Sequence, residues 1–391
     1  MVVVSKALFD EKLPRHISCA MVHHYEPNCW TANSEMMKIL LIGVTKFVFP
    51  CTLVKLAINY KKLSKKYLKE IAISHLRTTA YGCSLGMLTI SSICCLYRIT
   101  GPLNYYTLCF VPGVIAGLSL LVEAEDGKVF NCIAFVNLVI EAVFNNINHF
   151  RLVNMTKLKQ TGLFMVCSSL LMYLLQNRKD KIDFSHFWFY VPPKNQGQTD
   201  ERKCYHENDC TTYLKEGILN YAMLGFAVNF VKGLIPRMGE IVKNPIKLFY
   251  WIFNPSNFRF GIFMSAFVTT YRYISCYLRK RDNEQTLIHS AIAGLISGVT
   301  FIIEPNLQIL IIAITTILQV IYQRLKKLIK LESTIPMHIL FALCNGLLYL
   351  NRIFCLPTCP SFYKNMLSIA SANKVDLIFG RLVDQYILQL I

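Results

Sequence analysis

The chain has 391 residues, of which 54% are apolar and only 16% charged, and its mean hydropathy is +0.40. This composition favours a membrane protein over a soluble chain of two or three domains. The net charge of +18 does not indicate nucleic-acid binding, because the lysines and arginines cluster at the ends of apolar blocks, where basic residues anchor spans on anionic lipid.

The apolar residues form blocks of about 16–22 residues, the length that crosses a hydrocarbon core of about 30 Å at 1.5 Å per residue. We therefore predict an all-α fold, a polytopic membrane helical bundle of about ten spans. The predicted spans are Met36–Ile58, Leu76–Tyr97, Leu103–Val122, Val129–Phe144, Thr161–Leu175, Ile218–Ile235, Phe260–Leu278, Thr286–Ile303, Leu307–Tyr322 and Pro336–Cys355.

Residues 1–35 form an N-terminal segment that is rich in cysteine and histidine, and residues 36–176 form a first membrane half. The cluster in the N-terminal segment comprises Cys19, His23, His24 and Cys29. Within the first half, the stretch YKKLSKKYLKEI has apolar residues at helical spacing among lysines, which predicts an amphipathic helix on an anionic lipid surface.

The next hairpin, Leu76–Val122, carries two pairs of glycines four residues apart, Gly82 with Gly86 and Gly113 with Gly117. Glycines at this spacing let helix backbones approach closely in lipid, so we predict helix packing there. Glu141 lies in the following block. An ionisable residue at membrane depth is a candidate for a polar pathway, unless the helix ends near residue 140 and leaves the carboxylate at the interface.

Residues 177–216 form a polar linker that separates the halves and ends in a second cluster, Cys204, His206 and Cys210. Residues 217–391 form the second membrane half, with a glycine pair at Gly294 and Gly298. Arg272 is a second pathway candidate. It lies in a predicted span, where it faces either a water-filled cavity, a lipid head group or the rings of its neighbours Tyr271 and Tyr273.

The two halves carry an internal duplication. One constant offset of 181 residues superposes seven residues on identical ones further along the chain: Glu26 on Glu207, Cys29 on Cys210, Thr31 on Thr212, Glu35 on Glu216, Gly113 on Gly294, Gly117 on Gly298 and Glu123 on Glu304. A repeat this long is typical of membrane proteins built from two homologous halves rather than of solenoids.

Thiolate and imidazole are ligands that suit zinc, so the six residues of the two clusters are candidate metal ligands: Cys19, His23, Cys29, Cys204, His206 and Cys210. Their spacing matches no standard zinc finger, and disulfides or free thiols are the alternatives. No nucleotide-binding loop, nucleophile elbow or catalytic triad pattern occurs, so the sequence predicts neither an enzyme nor any other cofactor.

Three stretches resemble the transmembrane protein 135 family, also known as peroxisomal membrane protein type. They are HHYEPNC (His23–Cys29), CYHENDCTTYLKEG (Cys204–Gly217), and NFRFGIFMSAFVTTYRYISCYLR together with IAGLISG (Ile292–Gly298). Through its glycine hairpin this family is similar to the channel-forming subunits of the mitochondrial inner-membrane import translocases.

The resemblance implies a multi-pass protein of mitochondrial or peroxisomal membranes. The implied role is non-enzymatic, in mitochondrial dynamics, peroxisome function and fatty-acid homeostasis. The expected partners are the bilayer itself, anionic lipids, and organelle-division or lipid-handling proteins. The alternative is a transporter or channel for a lipid, metabolite or ion, with Glu141, Arg272 and the hairpin glycines along its path.

Overall fold

The computed structural model describes residues 4–12, 17–23, 26–60, 64–177, 188–192, 206, 209–234, 244, 246–282, 286–329, 334–377 and 380. These residues are predominantly helical and include no β-strand, which confirms the predicted all-α class.

The helices are, in chain order, α1 (Lys6–Lys12), α2 (Cys19–Val22), α3 (Cys29–Ile58), α4 (Lys65–Thr100), a π-helical turn (Tyr106–Phe110), α5 (Val111–Ala116), a 3₁₀ helix (Gly117–Val122), α6 (Glu125–His149), α7 (Lys157–Gln176), α8 (Cys210–Leu234), α9 (Ile246–Ile252), α10 (Pro255–Asp282), α11 (Leu287–Gly298), a 3₁₀ helix (Val299–Ile303), α12 (Leu307–Leu328), α13 (Ile335–Phe354), a 3₁₀ helix (Leu356–Thr358) and α14 (Ser361–Ala370).

The chain forms two compact units, the first made of Met1–Val153 together with Ser333–Ile391, and the second of Asn154–Glu332. These boundaries differ from the predicted halves, which divide after residue 176. Helix α7 packs in the second unit and α13 in the first, so each unit takes one long helix from the other predicted half. Apolar patterning marks a helix as buried or membrane-embedded, but it does not specify which neighbour the helix packs against.

In the first unit, α3 packs along α4, and α5 packs against both α4 and α13. Helix α13 also packs against α6, while α14 lies on α3. The N-terminal segment joins the core of this unit: the Leu103 N–H donates to the Ile17 carbonyl at 3.0 Å, and Ile17 is fully buried. These contacts fix the position of the first cysteine and histidine cluster.

In the second unit, α8 packs along α10, and α7 packs along α11 and against α12. Its core is rich in phenylalanine. Phe164 of α7 stacks on Phe301 at a centroid distance of 4.4 Å and meets Phe263 and Phe267 of α10 edge-on. Stacked and edge-on rings stabilise a core beyond their buried area, so α7 is an integral part of this unit.

Seven helices of the described chain are long and apolar enough to cross a membrane: α3, α4, α6, α7, α8, α12 and α13. They account for seven of the predicted spans. The segments Tyr106–Val122 and Leu287–Ile303 are apolar but shorter, and α10 carries several arginines. The count of ten spans therefore stays a prediction.

The predicted amphipathic surface helix is not a separate element. It is continuous with the next span, because α4 begins at Lys65 and runs unbroken to Thr100. The Ser64 side chain caps this helix by accepting from the Tyr67 N–H at 3.2 Å. No proline or glycine occurs between Lys65 and Gly82 to interrupt it. At its other end, Gly101 adopts a φ of 80° and terminates the helix.

Candidate metal centres

The first cluster lies in the N-terminal part of the first unit, where the short helix α2 and the start of α3 bring three candidate ligands together. Cys19 opens α2, His23 is the residue at its C-terminal end, and Cys29 is the first residue of α3. The His23 N–H donates to the Cys19 carbonyl at 3.0 Å, which closes the turn between them. The side chain of Asn28 accepts from the Trp30 N–H and so fixes the start of α3.

A fourth ligand comes from α4, far away in sequence. The thiol of Cys94 lies beside the side chains of Cys19, His23 and Cys29. The ligand atoms of these four residues all lie within 4.8 Å of one another. Cys19 and Cys94 are 6% exposed and His23 is 1% exposed, so the group is closed to solvent on most sides. Sequence reasoning missed Cys94 because this residue lies in an apolar block, where cysteine is ordinarily a core residue.

The ring of His23 is oriented like that of a metal ligand. Its Nδ1 lies 2.7 Å from the Glu26 carbonyl oxygen, which can only accept, so Nδ1 carries the proton of the neutral ring. The unprotonated Nε2 then faces the cluster, 3.3 Å from the Cys29 Sγ. A histidine that ligates a metal usually donates a hydrogen bond from its other ring nitrogen to a carbonyl or carboxylate, which fixes the orientation of the ring.

The spacing of the donors also suits zinc. In a tetrahedral site with Zn–S distances of about 2.3 Å and Zn–N distances of about 2.0 Å, two sulfurs lie about 3.8 Å apart and a sulfur and a nitrogen about 3.5 Å apart. The Cys19 and Cys29 sulfurs are 3.4 Å apart and the Cys29 sulfur is 3.3 Å from the His23 Nε2, each within about 0.4 Å of those separations. Burial raises the pKa of the Cys19 thiol, so without a cation this thiol is neutral at pH 7.

The second cluster lies in the second unit and comprises His206, Cys210 and Cys276. The His206 Nε2 is 3.6 Å from the Cys276 Sγ, and its ring stacks on Tyr213 at 4.5 Å. Cys276 is the residue that sequence reasoning left out, again because it lies within a helix. The predicted ligand Cys204 lies outside the described residues.

The first cluster does not form the disulfide alternative, because the 3.4 Å between the Cys19 and Cys29 sulfurs exceeds the disulfide bond length of about 2.05 Å.

The glycines of the first hairpin lie at main-chain contacts with α13. A Cβ at Gly113 would lie 2.8 Å from the Gly346 Cα, and one at Gly117 would lie 2.5 Å from the Ala342 Cα. The Asn345 side chain donates to the Gly113 carbonyl at 2.7 Å. The two helices thus approach at a distance that leaves no room for a side chain at either glycine.

The second hairpin makes the corresponding contacts with α7. A Cβ at Gly294 would lie 2.7 Å from the Ser168 carbonyl oxygen, and one at Gly298 would lie 2.6 Å from the Met165 Cα. The Ser168 hydroxyl donates to the Gly294 carbonyl at 2.6 Å.

Gly82 and Gly86 have different neighbours. A Cβ at Gly82 would meet the Val44 side chain at 2.7 Å, and one at Gly86 would meet that of Leu40 at the same distance. Both contacts lie between α4 and α3. They involve side chains rather than main chain, and a side chain can move aside more easily.

Arg272 is engaged by α8. Its Nη1 donates to the Tyr213 carbonyl at 2.5 Å, and the guanidinium lies 4.0 Å from the centre of the Tyr213 ring and 5.9 Å from that of Tyr221. The tyrosines that hold it are therefore not Tyr271 and Tyr273. Consecutive residues of a helix point about 100° apart, so the rings beside Arg272 in sequence face elsewhere.

Glu141 lies inside α6, which continues to His149, so the helix does not end near residue 140. Its side chain is half-buried. One turn further on, the Asn145 side chain donates to the Thr358 carbonyl at 3.1 Å. This face of α6 therefore packs against the segment that follows α13.

No family model matches the sequence, and no solved structure matches the fold.

Proposed function

We propose that this protein is a multi-pass membrane protein of mitochondria or peroxisomes, with a non-enzymatic role in mitochondrial organisation, peroxisome function and fatty-acid homeostasis. The non-enzymatic role is supported by the hydrogen bonds that polar side chains make between neighbouring helices. Asn345, Ser168 and Arg272 each donate to a main-chain carbonyl of a neighbouring helix. Such bonds hold helices together in lipid, and the groups that make them are not free to act on a substrate.

The proposal includes the duplication of one ancestral unit. The glycine pairs support it beyond their sequence offset, because each pair contacts one long helix at main-chain distance. In both cases a buried polar side chain of that helix donates to the carbonyl of the first glycine, and a 3₁₀ helix follows the second glycine. On this view α13 and α7 are the equivalent fifth helices of the two halves.

The proposal also includes ten spans. Helix α11 and its 3₁₀ extension contain 12 and 5 residues. They are together about 28 Å long at rises of about 1.5 and 2.0 Å per residue, close to a hydrocarbon core of about 30 Å. Helix α10 has 28 residues, which is ample length, and its Arg272 is neutralised in part by the Tyr213 carbonyl and ring.

Anionic lipid is the proposed bilayer partner. The first turns of α4 expose Lys65, Lys66 and Lys69 together with Leu68, which is 46% exposed. Lysines beside an exposed leucine at the end of a span suit a surface that offers both acyl chains and negative head groups. Organelle-division or lipid-handling proteins are the proposed protein partners, on the resemblance alone.

The first test is the location of the tagged full chain in fractionated cells. We expect it to sediment with mitochondria or peroxisomes and to resist carbonate extraction, as an integral membrane protein does. Protease protection of an epitope in the linker, residues 177–216, then reports which face carries the second cluster. A tagged protein found at the plasma membrane alone would contradict the organelle assignment.

The alternative, transport, has its own test because two ionisable side chains lie within helices, Glu141 and Arg272. If they line a path, solute flux into liposomes that contain the purified chain is expected to fall at least tenfold in Glu141→Gln and in Arg272→Gln. The control variants are Glu125→Gln and Arg259→Gln, since these residues lie exposed on the same two helices. Equal flux in all four variants would show that Glu141 and Arg272 do not line a transport path and would favour a role for both in helix packing.

A further inference from the structure

We infer that the first unit binds one structural zinc ion through the thiolates of Cys19, Cys29 and Cys94 and the Nε2 of His23. The inference goes beyond the proposed membrane role, because it assigns a metal to the chain and does not depend on which organelle holds it. The ligand that decides it is Cys94, which turns a three-residue cluster of the N-terminal segment into a complete tetrahedral set.

The donor set selects the class of metal. Soft thiolates with one imidazole suit zinc, whereas calcium and magnesium require oxygen ligands. Four protein ligands leave no open position for water or a substrate, which is the arrangement of structural rather than catalytic zinc sites. The burial of Cys19, His23 and Cys94 agrees with such a closed site.

Binding changes the protonation of the site in a defined way. The three thiols lose their protons to solvent as the Zn–S bonds form, and the imidazole keeps its Nδ1 proton, which it donates to the Glu26 carbonyl. No electrons are transferred. Zinc affinity therefore falls as the pH is lowered, because protons compete with the metal for the three sulfurs.

The ion would join parts of the chain that are distant in sequence. Cys19 and His23 belong to the N-terminal segment, Cys29 begins α3, and Cys94 lies near the end of α4. The surrounding core brings these parts together, with Ile17 and Ile93 buried beside the ligands. Because the pocket is shaped by packing, zinc would fasten the N-terminal segment to α4 rather than create the fold.

The test uses the full chain purified in detergent, with zinc quantified by mass spectrometry or by a colorimetric chelator. Because the second cluster can hold its own ion, all proteins carry Cys276→Ser. In this background we expect Cys94→Ser to lose about one zinc ion per chain and Cys95→Ser to lose none. Cys95 is the matched control, since it is the next residue of α4 and its side chain is exposed.

A second measurement does not require a substitution among the four proposed ligands. Cobalt(II) exchanged into the chain that carries only Cys276→Ser is expected to give the intense ligand-field and sulfur charge-transfer bands of a tetrahedral thiolate site. A strong chelator should abolish these bands and lower the melting temperature. Octahedral cobalt bands would overturn the assignment.

Two further results would overturn it. One is zinc content that is the same in Cys94→Ser and in its parent. The other is an intact mass of the zinc-free parent that is two hydrogens short, with a Cys19–Cys29 disulfide found in the peptide map. In that case the two sulfurs would form a redox bond, and the cluster would not be a metal site.

Discussion

Replacing Gly113 or Gly294 by leucine is expected to lower the melting temperature of the detergent-solubilised protein by about 5–10 °C, or to prevent its folding. At Gly294 the new Cβ would lie 2.7 Å from the Ser168 carbonyl oxygen, and at Gly113 it would lie 2.8 Å from the Gly346 Cα. Main-chain atoms cannot turn aside as a side chain can, so the helices must separate. Overpacking of this kind costs about 1–3 kcal/mol or more, and the lost hydrogen bond to the glycine carbonyl adds about 1 kcal/mol.

Gly162→Leu is the matched control, because Gly162 lies on α7, the helix that packs against Gly294. No atom lies within 4 Å of a Cβ built at Gly162, and the position is exposed. Removing a glycine from a helix favours folding by about 1 kcal/mol, so this variant should melt at or slightly above the temperature of the wild type. Wild-type melting of Gly113→Leu and Gly294→Leu would show that these helix contacts are not close.

The helices were largely predictable, because a long apolar segment in lipid must satisfy its own backbone hydrogen bonds and therefore has few conformations other than a helix. Each of the ten predicted spans coincides with a helix or with a run of helical turns. The first residues of the helices were less predictable. Helix α4 begins at Lys65 rather than Leu76 and α8 at Cys210 rather than Ile218, because polar residues can continue a helix beyond the apolar block that marks it in the sequence.

The completion of the cysteine clusters could not be predicted. Cys94 and Cys95 are adjacent and equally apolar in sequence, and only the rotation of α4 about its axis buries one and exposes the other. The same holds for Cys276 on α10. Sequence reasoning selected cysteines in polar flanks, which finds Cys19, Cys29 and Cys210. It cannot choose among the cysteines inside helices, because the choice depends on contacts distant in sequence.

The helices that the glycine hairpins contact could not be predicted from the sequence either. Spacing identifies Gly113 with Gly117 and Gly294 with Gly298 as close-contact sites, but it does not say which helix they contact. The contacting surface is made of small residues in one case, Gly346 and Ala342, and of Ser168 and methionines in the other. These surfaces share no motif, so the pairing follows from the fold alone.

The second large effect is expected from the ion pair between Arg352 and Asp376 in the first unit. Arg352 lies in the last turn of α13 and is 1% exposed, whereas the Asp376 side chain is 34% exposed. An Arg352 Nη2 donates to one carboxylate oxygen of Asp376, and the Ser368 hydroxyl donates to the other. The pair therefore joins a deeply buried charge to one that water can partly reach.

This asymmetry predicts unequal effects of removing either partner. Asp376→Ala leaves a guanidinium charge in the core without its carboxylate, which costs about 3–5 kcal/mol of unfolding free energy. Arg352→Met removes the buried charge and keeps an apolar side chain of similar length, while the carboxylate of Asp376 turns towards solvent, so we expect a cost of about 1–2 kcal/mol. Asp376→Asn should fall between them, because the amide oxygen still accepts but carries no charge.

The melting temperatures of these variants can be ranked with a thiol-reactive dye, since buried cysteines such as Cys109 react only when the first unit unfolds. We expect melting temperatures to fall in the order wild type, Arg352→Met, Asp376→Asn, Asp376→Ala. The control is Lys374→Met. It removes a neighbouring charge that is more exposed than Arg352 and whose nitrogen lies 3.7 Å from a Glu35 carboxylate oxygen, a long contact for an ion pair. If Asp376→Ala melted with this control, the carboxylate would contribute nothing to holding the buried arginine, and the stability of the α13 terminus would have to come from its apolar contacts.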